Sequence, residues 1–233
     1  MSSIVKFFLP LISKIFLTAG FKIKRIEPPV SLWAGLGKNQ IRRIFQYEQF
    51  NKTKSVKGCI VECGVSGGAT LAYFSHLNKV NSGTRKVWAF DSFEGFPEAS
   101  SHDGEWFKKN GKPGYTKFTI EYVKSRLRVT KLTDREIDDI NFIKGWIPQS
   151  FNEYDGGLVS LLNLDVDLYQ SIKDSLEYFW PLISKGGVVL LDEYTFDTDM
   201  ERWPGAKIAI DEFCTKNDIE VQIHYTGKAY LEK

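Results

Sequence analysis

The chain has 233 residues, a formal net charge of +2, 42% apolar and 26% charged residues, the make-up of a soluble globular protein with one large α/β core or two small ones. Lys and Arg are scattered and no RNA- or DNA-binding motif appears, which argues against nucleic acid as a partner. Cys59, Cys63 and Cys214 are an odd set without metal-ligand spacing, which argues against a disulfide framework and a zinc site and points to a reducing cytoplasm.

The first stretch, Ile4 to Leu17, is strongly apolar but interrupted by Lys6, Pro10 and Lys14. It is shorter than the ~20 apolar residues of a spanning helix. A weakly charged start and no small-x-small cleavage site argue against a signal peptide. The expectation is a helix docked on the domain or on another subunit, in a homo-oligomer. Peripheral membrane contact through residues 4–17 is the alternative. Glu27-Pro28-Pro29 reads as a linker. The chain therefore divides into an N-terminal extension, 1–37, and a main domain, 38–233.

Ile41, Ile44, Phe45 and Phe50, with charges between them, predict an amphipathic helix over 38–50. A βα alternation follows. Cys59 to Val61 is a short apolar strand ending at Glu62, and Gly64 to Gly68 is a Gly-rich turn opening a helix over 69–78. Lys86 to Phe90 is a second strand ending at Asp91. Residues 92–115 read as a long loop and Thr119 to Leu127 as a helix. Ile140 to Lys144 is a third strand, and Trp146 to Phe151 a turn or short helix. Leu158 to Leu162 is a fourth strand, running into Asp165 and Asp167. A helix over Tyr169 to Ser184 leads to a fifth strand, Gly187 to Leu191, ending in Asp192-Glu193. A helix over 205–216 precedes two strands, 220–225 and 228–231, joined by a Thr226-Gly227 turn short enough only for an antiparallel hairpin. The fold class is α/β and Rossmann-like: a seven-stranded, mostly parallel sheet with a C-terminal antiparallel hairpin and helices on both faces.

Open parallel sheets bind ligands beyond the carboxyl ends of their strands. Gly64 and Gly68 let the backbone approach a ligand there, and the helix starting near Thr70 presents free N–H groups. Asp91 lies roughly the ~20–30 residues further on that suit an acid binding ribose hydroxyls. Glu62 stands where a pyrophosphate cofactor would be repelled and a cationic amino-acid moiety held. That combination points to S-adenosylmethionine rather than a nicotinamide dinucleotide. Acids at two strand ends suggest a divalent metal site. Period-2 alternation puts Asp165 and Asp167 on one side while the strand lasts, although an Asp at 167 is also a good cap for the helix from Tyr169.

Four stretches carry a resemblance: Glu62-Cys63-Gly64-Val65-Ser66-Gly67-Gly68, Asp91-Ser92-Phe93-Glu94-Gly95-Phe96-Pro97, Leu164-Asp165-Val166-Asp167-Leu168-Tyr169 and Asp192-Glu193-Tyr194. Together they resemble the macrocin O-methyltransferase (TylF-type) family over about residues 30–233. The resemblance implies a class I methyltransferase fold, S-adenosylmethionine and Mg2+ as cofactors, and methylation of a sugar hydroxyl. The sugar would be a deoxysugar on a natural product, a nucleotide sugar or a polysaccharide unit. It maps Asp165, Asp192 and Glu193 onto metal ligands and Asp167 onto the general base. It places Glu62, Gly64, Gly68, Thr70, Asp91, Ser92 and Phe93 around the cofactor, with Lys144, Gly145 and Trp146 at the adenine. The Gly-rich turn is one residue shorter than the family form, and Glu193 stands where the family has Asp. Two readings compete: a catechol or phenol methyltransferase of the same fold, favoured by an aromatic-walled pocket, and a non-catalytic nucleoside-binding module.

Overall fold

Period-2 burial builds the centre of the fold. In β1 (Cys59–Cys63) residues Cys59, Val61 and Cys63 enter one core and Ile60 the other. In β4 (Val159–Leu164) Leu162 and Leu164 enter the first core and Leu161 the second, so both faces of each strand are dry. With β2 (Val87–Asp91), β3 (Ile140–Lys144), β5 (Ile183–Leu191), β6 (Gln222–Ile223) and β7 (Ala229–Glu232) they form one sheet, ordered β3-β2-β1-β4-β5-β7-β6. β1 to β5 are mutually parallel, and β7 runs antiparallel to β5 and β6. This is the sheet expected from the sequence. The computed structural model describes residues 37–111, 114, 117–195 and 202–233; the apolar run and the Glu27-Pro28-Pro29 linker lie outside the described residues.

The helices divide between the faces. α1 (Lys38–Thr53), α2 (Ala69–Val80), α4 (Ile120–Val129) and α5 (Asp134–Asp138) supply Phe45, Phe50, Leu71, Phe74, Val123, Leu127 and Ile137 to one core. α6 (Tyr169–Phe179) and α7 (Pro204–Asn217) cover the other face. Ile172, Leu176 and Phe179 on α6 face Ala206, Ala209, Ile210 and Phe213 on α7, each set at helical spacing. A fully buried residue such as Leu176 contributes about 1.5–3 kcal/mol by burial alone. A further short helix, α3 (Glu105–Asn110), lies in the stretch read as loop.

The differences from the sequence reading have local causes. The helix expected over Tyr169 to Ser184 stops at Phe179, where a single 3-10 turn containing Pro181 follows. β5 therefore starts at Ile183, four residues before Gly187, and its register against β4 breaks between Val159 and Leu161, with Gly186 at φ +78°. The C-terminal hairpin has only two residues in β6, and its connection runs from His224 to Lys228. α5 is not among the expected helices, although its capping box, Thr133 and Glu136, stands in the sequence. Among the described residues no helix is long and apolar enough to cross a membrane.

Candidate active site

β1 and β4 are neighbours from which the sheet is extended in opposite directions, so the crevice beyond their carboxyl ends is the switch point. A cleft of about 590 Å³ opens there, lined by Glu62, Gly64, Gly67, Thr70 and Asp91 on one side and by Asp165, Asp167, Asp192 and Glu193 on the other. Gly64 has φ +89°, and a Cβ on it would stand 1.8 Å from the Asp165 carbonyl oxygen. Only glycine lets the end of β1 come this close to the end of β4. Gly68, at φ +78°, is the N-cap of α2, and a Cβ there would meet Val123 at 2.7 Å.

Asp91 does more for the protein than the sequence suggests. Its Oδ2 accepts hydrogen bonds from the Val65 and Ser66 amides, both 2.9 Å, and its Oδ1 from the Phe93 amide, 2.7 Å. It thus braces the Gly-rich turn from β2 while still lining the cleft. Ser92 lines the cleft too, with its hydroxyl donating to the Gly95 carbonyl at 2.6 Å. Phe93, expected beside the adenosine, is 3% exposed and packs into the core with its ring near Phe142. Gly145 and Trp146 line the cleft, but Lys144 does not: it points out to Glu94, 3.0 Å away. Strand alternation explains this, because Lys144 follows buried Ile143 onto the solvent side.

Glu62 is 1% exposed. Its Oε1 accepts from Asn163 Nδ2 at 3.3 Å, and its Oε2 has no hydrogen-bond partner among the described residues. Burial pushes the Glu62 carboxyl well above the usual range, with Asp165 adding to the rise and Arg43 opposing it. A buried carboxylate facing a cleft with one oxygen unmatched suits a cationic ligand group.

The second half of the cleft is acidic. Carboxylate oxygens of Asp165, Asp167 and Glu193 lie within 4.8 Å of one another. Burial, then the nearby Asp192, raises the Asp165 carboxyl to about 7, and Glu193 is pushed well above its usual value by burial and by its acidic neighbours. Glu193 Oε2 is buried without a hydrogen-bond partner among the described residues. Three converging hard oxygen donors, with one unmatched, fit a divalent cation such as Mg2+. Asp192 is placed differently from the other expected ligands. Arg42 Nη2 donates to its Oδ2 at 2.6 Å and Lys228 Nζ to its Oδ1 at 2.8 Å. Burial alone would raise Asp192, but Lys228 and Arg42 outweigh it and hold the carboxyl below its usual value. Arg42 also lies 3.7 Å from Asp165.

Asp167 sits at φ +58°, a left-handed conformation that Asp tolerates better than most residues. It does not cap α6: the N-cap is Leu168, which has no side-chain cap bond. The first amide of the helix, Tyr169 N, instead donates to Asp103 Oδ1 at 2.9 Å. Asp103 is 3% exposed and its Oδ2 accepts from the Ser100 amide and hydroxyl. Asp103, Arg42 and Lys228 are the residues that sequence reading missed, each reaching the site from a distant segment. Phe96, Trp106 and Trp203 complete an aromatic wall on the same cleft.

Comparison with known proteins places this arrangement. The family model for macrocin O-methyltransferase (TylF) matches residues 26–229. The chain belongs to the macrocin O-methyltransferase (TylF) family. Over 147 residues this TylF-family chain is 35% identical to the 8-demethyl-8-(2,3-dimethoxy-alpha-L-rhamnosyl)-tetracenomycin-C 4'-O-methyltransferase of Streptomyces olivaceus, covering 61% of this chain and 55% of that protein. The match thus spans little more than half of that relative's length. Over 195 residues it is 28% identical to the demethyldecarbamoylnovobiocin O-methyltransferase of Streptomyces niveus, covering 82% of this chain and 71% of the other. The solved structure of the O-methyltransferase NovP aligns at a TM-score of 0.69 and 26% identity, over 85% of this chain and 81% of that one. The calicheamicin methyltransferase CalS11 shares the fold at a TM-score of 0.66 and 23% identity, over 100% of this chain and 93% of that one. The fold of this TylF-family chain is therefore the Rossmann-like class I methyltransferase fold expected from the sequence.

Proposed function

We propose that this protein transfers a methyl group from S-adenosylmethionine to a sugar hydroxyl in the switch-point cleft. The observation that carries the reading is that one cleft is lined both by the Glu62 carboxylate with its glycine turn and by the carboxylates of Asp165, Asp167 and Glu193. Donor and acceptor ends thus open on one space. When bound, S-adenosylmethionine supplies an electrophilic methyl on a sulfonium. Glu62 holds the ammonium of its amino-acid part, and the backbone from Gly64 to Gly68 lies against it. Asp91 keeps that turn in place and faces the ribose. Gly145 and Trp146 border the adenine.

At the acceptor end, Asp167 takes the proton of the attacking hydroxyl as the new O–CH3 bond forms and the S–CH3 bond breaks. Asp165 and Glu193 would hold a divalent cation, Mg2+ by donor chemistry, which would supply the charge that lowers the pKa of the acceptor hydroxyl. Asp192, bound by Arg42 and Lys228, sets the electrostatic frame rather than leading the ligand set. The three buried, free cysteines support a reducing compartment, the cytoplasm.

The family match and the relatives named for rhamnosyl- and novobiocin-type acceptors favour a sugar. The aromatic wall of Phe96, Trp106 and Trp203 offers apolar surface for the face of a pyranose ring. The same wall also favours a phenolic acceptor, which is the second reading. Calorimetry with S-adenosylhomocysteine, with and without magnesium, tests the cofactor half. A labelled-methyl screen over rhamnosides, nucleotide sugars and catechols tests the other half. Failure of S-adenosylhomocysteine to bind would overturn the proposal, and turnover of catechol alone would replace the sugar with a phenol.

A further inference from the structure

Two cations line the cleft, Arg42 and Arg202. Arg42 is held by Asp192 and Asp165. Arg202 makes no ion pair or hydrogen bond among the described residues; its guanidinium carbon lies 4.3 Å from the centre of the Trp106 ring. A guanidinium held over an indole face gains a cation–π attraction and keeps N–H donors for an anion. The wall that carries Arg202 is built and anchored. Trp203 stacks on Phe96 with ring centres 5.7 Å apart and meets Trp106 edge-on. A Cβ on Gly104 would meet Pro204 Cδ at 2.8 Å, so the loop and the start of α7 pack without space between them. Asp103, one residue earlier, fixes the loop to the first amide of α6.

Charge then orders the cleft. The cleft is also lined by Glu62, Asp165, Asp167, Asp192 and Glu193, none of which would itself hold an anionic group. Arg202, on the aromatic wall, would attract one. A molecule with an anion at one end and hydroxyls at the other is therefore turned hydroxyl-first toward Asp167.

We propose that Arg202, held over Trp106, binds a phosphate or diphosphate of the acceptor, so that the acceptor is a phosphorylated or nucleotide-linked sugar. This rests on the methyl-transfer reading above. The test uses the full chain and Arg202→Gln, with thymidine diphosphate, thymidine and glucuronate as probes, each titrated with S-adenosylhomocysteine bound. The expected result is that thymidine diphosphate binds the wild-type protein more tightly than thymidine or glucuronate does. Arg202→Gln should weaken the diphosphate by roughly tenfold to a hundredfold, the scale of a lost charge-assisted bond. In turnover, KM for a thymidine-diphosphate sugar should rise by at least about tenfold more than KM for a neutral rhamnoside. Normal S-adenosylhomocysteine binding by the variant shows that it is folded. Equal binding of thymidine and its diphosphate, preferential binding of glucuronate, or equal KM changes for both acceptors would overturn the subsite alone. Loss of S-adenosylhomocysteine binding in the wild-type protein would overturn the methyl-transfer reading, and this proposal with it.

Discussion

Glu62→Gln separates what the site needs from what the fold prefers. In the ligand-free protein Glu62 is buried, with Oε2 unpartnered and Arg43 as its nearby cation. Burying an ionised carboxyl costs more than burying an amide of the same shape, which keeps the Asn163 bond through its Oε1. Some of that is offset by the attraction to Arg43, so the neutral amide should stabilise the ligand-free protein by about 1 kcal/mol, or about 2–4 °C in Tm for a chain of this size. The pH dependence has a defined sign. A carboxyl whose folded pKa is raised contributes stability that is full below its unfolded value and lost as pH rises through the folded one. The advantage of Glu62→Gln should therefore be absent at pH 4 and grow toward neutrality. Ligand binding should move the other way. Loss of a charge-assisted bond to the donor ammonium costs about 1.5–3 kcal/mol, so S-adenosylhomocysteine should bind roughly tenfold to a hundredfold more weakly. Methylthioadenosine, which lacks the amino-acid part, should be almost unaffected. Melting curves at several pH values and calorimetry with both ligands read this out. A lower Tm for the variant at neutral pH, or equal losses for both ligands, would refute the reasoning.

Asp167→Asn should lower kcat by about 10²–10⁴-fold, the usual weight of a general base, with S-adenosylhomocysteine affinity within about twofold of wild type. Unaltered turnover would remove the proton-accepting role. Adding magnesium should raise the Tm of the wild-type protein, by up to about 2.7 kcal/mol of stability at a hundredfold excess over Kd, and not that of Asp165→Ala; excess chelator should abolish turnover. Gly64→Ala should cost well over about 3 kcal/mol, since its Cβ would stand 1.8 Å from backbone at φ +89°, and near-normal expression and Tm would contradict the packing. Asp103→Ala should cost about 1–2 kcal/mol through the lost helix cap. It should also raise the acceptor KM more than it weakens S-adenosylhomocysteine, which steady-state kinetics would show.

The centre of the sheet was legible because β1, β2, β4 and the second half of β5 are apolar runs buried on both faces, and because an acid or a glycine that cannot continue the core stands at or just after the end of each. Asp91, Asp165 and Glu193 could be found as strand-end carboxylates for the same reason. The misjudged boundaries fall where one local signal masked another. Ile183-Ser184 continue an apolar helical pattern past Pro181, so helix periodicity concealed the start of β5. Arg42, Lys228 and Asp103 were illegible for a different reason. Arg42 and Asp192 are 150 residues apart, Lys228 and Asp192 36, and Asp103 and Tyr169 66. A lone charged residue on a helix, in a turn or in a loop carries no sign of a partner that far away. Phe93 and Lys144 were misplaced by adjacency: each stands beside a residue that lines the cleft, but with its side chain on the other side of the chain.

Glu193 stands where the family resemblance led to the expectation of Asp, and the geometry gives it a physical reason. Asn163 and Asp165 share the parity that faces α1, and so does Asp192, continuing from Val188 and Leu190. Asp192 is drawn on that side to Arg42 and Lys228. The next residue starts from the opposite parity, yet its carboxylate lies with those of Asp165 and Asp167. The extra methylene of Glu gives the reach that this position requires. Glu193→Asp should on this argument weaken the cluster rather than improve it unless Asp192 is released from Lys228. The ion pairs of Asp192 and the length of residue 193 are therefore one coupled feature, and a double-mutant cycle between Lys228 and Glu193 should show non-additive magnesium binding.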